Sequence, residues 1–148
     1  MVILVLNGPN LNLLGIREPD LYGKKTYADL ERLVREECRK RHIRVRMVQT
    51  NSEARLVTEI QKAYRRADGI VINPAAYTHT SVAILDAVKA VGIPTVEVHL
   101  TNVDEREEFR RVSFVRQAAV KTIAGKGFDG YLEAIRFLDE TYGKGTQP

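Results

Sequence analysis

The chain predicts an α/β fold: a doubly wound, five-stranded parallel sheet in three α/β/α layers. Three observations lead there. Short aliphatic runs alternate along the chain with longer stretches of helical periodicity. The runs Val2–Leu6 and Gly69–Asn73 are nearly continuous in apolar residues, as strands covered on both faces require. The length of 148 residues suits one domain, residues 1–148, with one core. It also excludes a (β/α)₈ barrel, which needs roughly 250 residues.

The elements follow in order. Val2–Leu6 is the first strand. Residues 26–41 form a helix with Tyr27, Leu30, Val34 and Cys38 on its apolar stripe, and Thr26 and Asp29 have capping-box spacing at its start. Residues 43–49 alternate Ile43, Val45 and Met47 with Arg44 and Arg46, the pattern of a half-exposed or edge strand. Leu56, Ile60, Ala63 and Ala67 mark a second helix. Gly69–Asn73 is the third strand, Thr80–Val91 the third helix and Pro94–Val98 the fourth strand. A weaker strand near Ala119–Ala124 precedes a last helix with Tyr131, Ile135 and Leu138 on its stripe, and Gly143 and Gly145 open a loose tail over about residues 143–148. At this length the order expected for such a sheet is flavodoxin-like. One connection is long: residues 8–25 separate the first strand from the first helix, where about 2–6 residues are usual and longer loops often serve as lids.

Composition narrows the partners. With 23 Lys+Arg against 19 Asp+Glu, the formal charge is +4, which raises nucleic acid, anionic membranes and acidic metabolites together. Arg39–Arg46 is the densest basic run, but no aromatic residues interleave it to stack on bases, so a helix end in solvent is the better reading and nucleic acid is not expected. No stretch approaches the ~18 apolar residues of a membrane span. A single cysteine, Cys38, cannot form an intrachain disulfide, and Met1–Leu6 lacks a basic leader and the apolar length of a signal peptide. A cytoplasmic protein is expected.

Ligands of open α/β sheets bind outside the carboxyl ends of the strands. Here those ends carry Asn7, with Asn10 and Asn12 beyond it, and Asn73, with His79 beyond it. Thr95-Val-Glu97-Val-His99 puts Glu97 and His99 on one strand face through the two-residue period. Alone, either residue is better read as a satisfied core group. Together, Asn10, Asn73, His79, Glu97 and His99 on one sheet edge describe a polar pocket. The long loop adds Arg17 and Tyr22. A guanidinium near a phenol favours phenolate and so a usable base, although by themselves Tyr22-Gly23 is better read as a turn and Arg17-Glu18 as a surface pair. The first loop is not the Ser/Thr/Gly-rich phosphate grip of a flavin-binding protein. Asn7 and Asn73 stand where a phospho-accepting receiver domain would need acids, and no zinc-type ligand spacing, GxGxxG or Walker A run is present. His79 and His99 lack a third metal ligand. A flavodoxin-like binding or signalling domain is the competing class.

Four blocks carry a resemblance. Asn7-Gly-Pro-Asn-Leu-Asn-Leu-Leu-Gly15 with Arg17-Glu-Pro19 and Tyr22-Gly23, then Asn73-Pro74 with Tyr77-Thr-His79-Thr-Ser81, then Glu97-Val-His99-Leu-Thr-Asn102, then Glu108-Phe-Arg110 with Ser113, resemble the type II 3-dehydroquinate dehydratases in order and spacing. The resemblance implies a shikimate-pathway lyase that converts 3-dehydroquinate to 3-dehydroshikimate by anti elimination through an enolate, with no Schiff base, metal or cofactor. It implies Tyr22 as the base, Arg17 lowering its pKa, Asn10 stabilising the enolate, His99 as the general acid and Glu97 orienting it. Asn73, His79 and Arg110 would bind substrate hydroxyls, and Leu100 and Thr101 the carboxylate. Asp86, which by itself reads as a solvated helix residue near Lys89, would reach a neighbour's pocket in a dodecamer of four trimers. Arg17 and Arg110 are the basic residues expected at the site. Two departures stand out: Ala75 replaces a common glycine, and Val112 a common histidine.

Overall fold

Five parallel strands form one sheet in the computed structural model, which describes residues 1–16, 18, 20 and 24–143. They are β1 (Val2–Asn7), β2 (Arg44–Gln49), β3 (Gly69–Asn73), β4 (Thr95–His99) and β5 (Lys121–Ala124), in the order β2-β1-β3-β4-β5. This is the flavodoxin-like, doubly wound order. Among the described residues four α-helices cover it: α1 (Tyr27–Lys40), α2 (Glu53–Ala63), α3 (Val82–Val91) and α4 (Asp129–Tyr142). Successive side chains of a strand point to opposite faces. Ile3 and Val5 therefore pack with Leu30, Val34 and Cys38 of α1 and with Tyr131, Ile135 and Leu138 of α4. Leu4 and Leu6 pack on the other face with Leu56 and Ile60 of α2 and with Ile84 and Val88 of α3. These are the three expected layers. Truncating a fully buried side chain such as Leu56 to Ala would cost about 2–5 kcal/mol.

Local chemistry sets the ends of the elements. The Thr26 side chain accepts from Asp29 N at 3.2 Å while Asp29 accepts from Thr26 N at 2.9 Å, a complete capping box. α2 is shorter than its periodicity suggests and leaves Ala67 outside. Tyr64 turns extended and Arg65 takes a φ of 60°, reversing the chain toward β3. α3 starts two residues later than expected, because Ser81 caps it by accepting from Ile84 N at 3.0 Å and the residues before it, Ala75–His79, form a 3-10 turn. β4 extends to His99, one residue past the expected end, and β5 begins at Lys121. Cys38 sits in the core at 1% exposure, and burial pushes its thiol up to about 11.

The carboxyl ends of β1 and β3 are drawn tightly together. Gly8 N donates to Asn73 O at 2.8 Å, and a Cβ on Gly8 would lie 2.5 Å from the Pro74 carbonyl oxygen, so only glycine fits. Beneath this junction Tyr131 reaches up from α4, donating to Asn7 Oδ1 at 2.6 Å and accepting from Asn73 Nδ2 at 3.0 Å. Asn7 also donates to the Tyr27 hydroxyl at 3.3 Å. Asn7 is thereby turned into the interior and away from the sheet edge.

Candidate active site

At the carboxyl ends of β1, β3 and β4 lies a cavity of about 250 Å³, lined by Asn10, Asn73, His79, His99, Leu100, Thr101 and Arg110 together with Pro9, Leu11, Ala75, Ala76, Val103 and Arg106. A larger cavity, about 370 Å³, lies beside the amino end of β1, next to β2 and the end of α2, with an aliphatic floor and the basic side chains Arg46, Lys62 and Arg66. It holds no acid, base or nucleophile opposed to another, so the smaller cavity is where chemistry can occur.

Its floor is the Glu97–His99 pair. Adjacent same-face positions on β4 bring His99 Nε2 to 2.6 Å from Glu97 Oε1. Glu97 has no exposed surface and receives further hydroxyl donors: Thr78 Oγ1 at 2.6 Å and Ser113 Oγ at 2.7 Å on Oε1, and Thr122 Oγ1 at 3.3 Å on Oε2. Burial alone would push this carboxyl up, but the hydrogen bond and charge of His99 and the two nearer hydroxyls outweigh it, and the net direction is down. Glu97 is an ionised acceptor throughout the neutral range.

His79 is held differently. Its Nδ1 lies 2.6 Å from the Val112 carbonyl oxygen, which can only accept, so Nδ1 carries the proton. Desolvation outweighs that hydrogen bond and lowers its pKa, leaving a neutral ring whose Nε2 is an acceptor. The contact uses the backbone of residue 112, so a valine side chain there does not disturb it. Asn73 Oδ1 accepts from Ala75 N at 3.1 Å, and Ala75 has a φ of 53°. This left-handed conformation explains why glycine suits that position, and alanine adopts it at a cost in strain.

Asn10 is also left-handed, with a φ of 70°, and its N–H donates to Asn51 Oδ1 at 3.1 Å. Asn51 is held in turn by Gln49 Nε2 at 3.2 Å and, through its carbonyl, by the Tyr77 hydroxyl at 2.8 Å. Arg110 lies 2.7 Å from Glu107 and 5.0 Å over the Phe109 ring. Arg106, which sequence reasoning passed over, joins it on the cavity wall. Asp86 is exposed on α3 and does not line the cavity of its own chain. Arg17 and Tyr22 lie outside the described residues. Among the described residues, no cluster of three or more His, Cys, Asp or Glu could hold a metal, and every buried side-chain nitrogen and oxygen has a partner.

A doubly wound sheet with an acid–base pair under a polar pocket at its carboxyl edge defines an α/β enzyme. The sequence model described as Dehydroquinase class II matches residues 1–139. The 3-dehydroquinate dehydratase of Clostridium acetobutylicum is 49% identical over 144 residues, covering 97% of this chain and all of that one. The crystal structure of the type II dehydroquinase of Butyrivibrio crossotus superposes with a TM-score of 0.93 at 48% identity, covering 94% of this chain and 97% of that one. That of Propionibacterium acnes gives 0.89 at 44%, covering 93% and 94%. The chain belongs to the class II dehydroquinase family, enzymes that dehydrate 3-dehydroquinate in the shikimate pathway.

Proposed function

We propose that the chain dehydrates 3-dehydroquinate by anti elimination through an enolate, without a Schiff base, metal or cofactor. The observation that carries this reading is the Glu97–His99 pair at 2.6 Å beneath a cavity lined by Asn10, Asn73, His79 and Arg110. Tyr22 removes the proton alpha to the ketone, and Arg17 lowers its pKa to favour phenolate. Asn10 stabilises the negative charge that develops on the ketone oxygen, through an ordered water. His99 protonates the departing hydroxyl, which leaves as water, and Glu97 holds the ring for that transfer.

Binding follows from the same wall. Asn73 and Arg110 donate to substrate hydroxyls, and the neutral His79 accepts from one. Leu100 and Thr101 present backbone N–H groups to the carboxylate, and Arg106 adds a second guanidinium on that wall. Residues of the lid, about 8–25, close over the substrate and expel water. Residues 1–148 act as one catalytic domain; the tail expected over about 143–148 lies, apart from Gly143, outside the described residues. As the family resemblance implies, Asp86, which is exposed on α3 and does not line the cavity of its own chain, reaches a neighbouring subunit's site in a dodecamer of four trimers. The enzyme works in the cytoplasm, with neither membrane nor nucleic acid as partner. No helix among the described residues is long and apolar enough to cross a membrane.

The test is direct. Purified protein with 3-dehydroquinate in metal-free buffer should produce the ultraviolet absorbance of a conjugated enone, and Tyr22→Phe should lower turnover by ~10²-fold or more while retaining product binding. Absence of enone leaves a binding or signalling domain of this fold as the reading. Near-normal turnover by Tyr22→Phe would reassign the base.

A further inference from the structure

The carboxylate of Glu97 is surrounded by donors from separate parts of the fold. Thr78 lies in the 3-10 turn after β3, Ser113 in the segment that follows Arg110, and Thr122 on β5, opposite Glu97 in the strand register. The Thr78 and Ser113 segments are fastened to each other: Phe114 N donates to Thr78 O at 2.8 Å, His79 Nδ1 meets Val112 O at 2.6 Å, and the two hydroxyl oxygens lie 2.8 Å apart. Arg116 N donates to Ser113 Oγ at 3.1 Å and turns that hydroxyl's proton outward from its own backbone.

The proton inventory follows from the chemistry of each group. A hydroxyl carries one proton, and a carboxylate is the strongest acceptor within reach of these three. With the Thr78 and Ser113 protons committed to Oε1 and the Thr122 proton to Oε2, Glu97 is an acceptor on both oxygens. A proton on Glu97 would force one of these donors off a carboxyl that itself has no exposed surface. The remaining contact, His99 Nε2, can then only be a donor. Nδ1 is the one ring nitrogen left for exchange with the cavity.

We propose that Thr78, Ser113 and Thr122 are positioning residues whose hydroxyls keep Glu97 an acceptor and so fix His99 with Nε2–H on Glu97 and Nδ1 toward substrate. The inference rests on the reading of His99 as general acid. In that step the Nδ1–H bond breaks, its proton joins the departing hydroxyl to form water, and a neutral imidazole bearing Nε2–H remains. Without the hydroxyls Glu97 can take a proton, the ring can swap tautomers, and the acid is present in fewer molecules.

Nitrogen-15 labelling of the three histidines tests the arrangement. In the wild-type protein His99 should keep a protonated Nε2 at every pH where the enzyme is active. Thr78→Val combined with Ser113→Ala should lower kcat by ~10–100-fold with KM within about 3-fold, displace the acid limb of the kcat profile, and mix the two tautomers. Thr78→Ser should restore most of the turnover. Thr122→Val, which removes the longest contact, should cost a few-fold and serves where the double variant does not fold. An unprotonated Nε2 in the wild type overturns the proposal, as does a double variant or Thr122→Val whose kcat, pH profile and tautomer are all unchanged. The tautomer is read without substrate, so it judges this inference even if the wild-type protein forms no enone.

Discussion

Glu59 on α2 and Glu97 on β4 are both almost fully buried, at 2% and 0% exposure, and both carboxyls are held below the ordinary range. Their partners differ in kind. Glu59 is bonded by Arg46 and lies 3.9 Å from Arg55 and from Lys62. Glu97 is bonded by a histidine and three hydroxyls. A guanidinium never gives up its proton in this range, so Arg46 can only hold Glu59 in place. An imidazole can gain and lose one near neutral pH, so the same burial beside His99 can do chemistry. A buried carboxylate is therefore no signal of a site; a titratable partner facing a cavity is.

The contrast can be broken most forcefully by removing each charge. Glu97→Gln should lower turnover by ~10²–10⁴-fold, whereas Glu59→Gln should leave turnover intact and lower the unfolding free energy by about 1–3 kcal/mol. Steady-state kinetics beside urea unfolding of both variants checks the split, and equal losses of turnover would end the distinction. Acid sharpens it next. With both carboxyls depressed in the native state, the unfolded chain binds more protons below the usual carboxylate value of about 4.3. Their stabilisation is complete above that pH and is lost as pH falls from it toward the native values. Urea midpoints should fall over this window in the wild type and less steeply in Glu97→Gln; parallel curves would show that Glu97 is not depressed.

Smaller effects follow from the cavity wall. The pKa of His79 is lowered in the native state, so its Nε2 stays an acceptor as pH falls through the ordinary histidine value of about 6.5. KM for 3-dehydroquinate should be flat down through that pH, and a rise centred at or above it would contradict the neutral ring. His79 also contributes stability that is lost only below the same value, since there the unfolded chain protonates first. Last, Ala75→Gly relieves a left-handed alanine but gains chain entropy when unfolded, for a net stabilisation of about 0.5–1 kcal/mol. A melting temperature that falls would show that alanine's side chain contributes more than its strain.

Legibility in the sequence followed the range of the interaction. Periodicity revealed the sheet and its helices, and the two-residue strand repeat placed Glu97 beside His99, because both are local. Asn10, Asn73 and His79 were found because strand ends are visible as the ends of apolar runs. Thr122 was hidden, since its place opposite Glu97 depends on the pairing of β4 with β5. Thr78 sat inside a recognised block and Ser113 closed another, yet neither block says that the two meet over one carboxylate. Arg106 resembles any other charge in a run dense with acids and bases; only the fold of residues 103–111 turns it to the cavity. Asn7, conspicuous at the end of β1, belongs to Tyr131 rather than to the pocket, and the strand end alone gives no hint of it.

The single cysteine described among the core residues has a use of its own. Cys38 is the only thiol in the chain, is 1% exposed and resists ionisation, so an alkylating reagent can reach it as thiolate only when α1 lifts from the sheet. The rate of its modification in the intact protein thus reports how often that helix opens, and a comparison with substrate present would measure how far ligand at one edge of the sheet restrains a helix on its face.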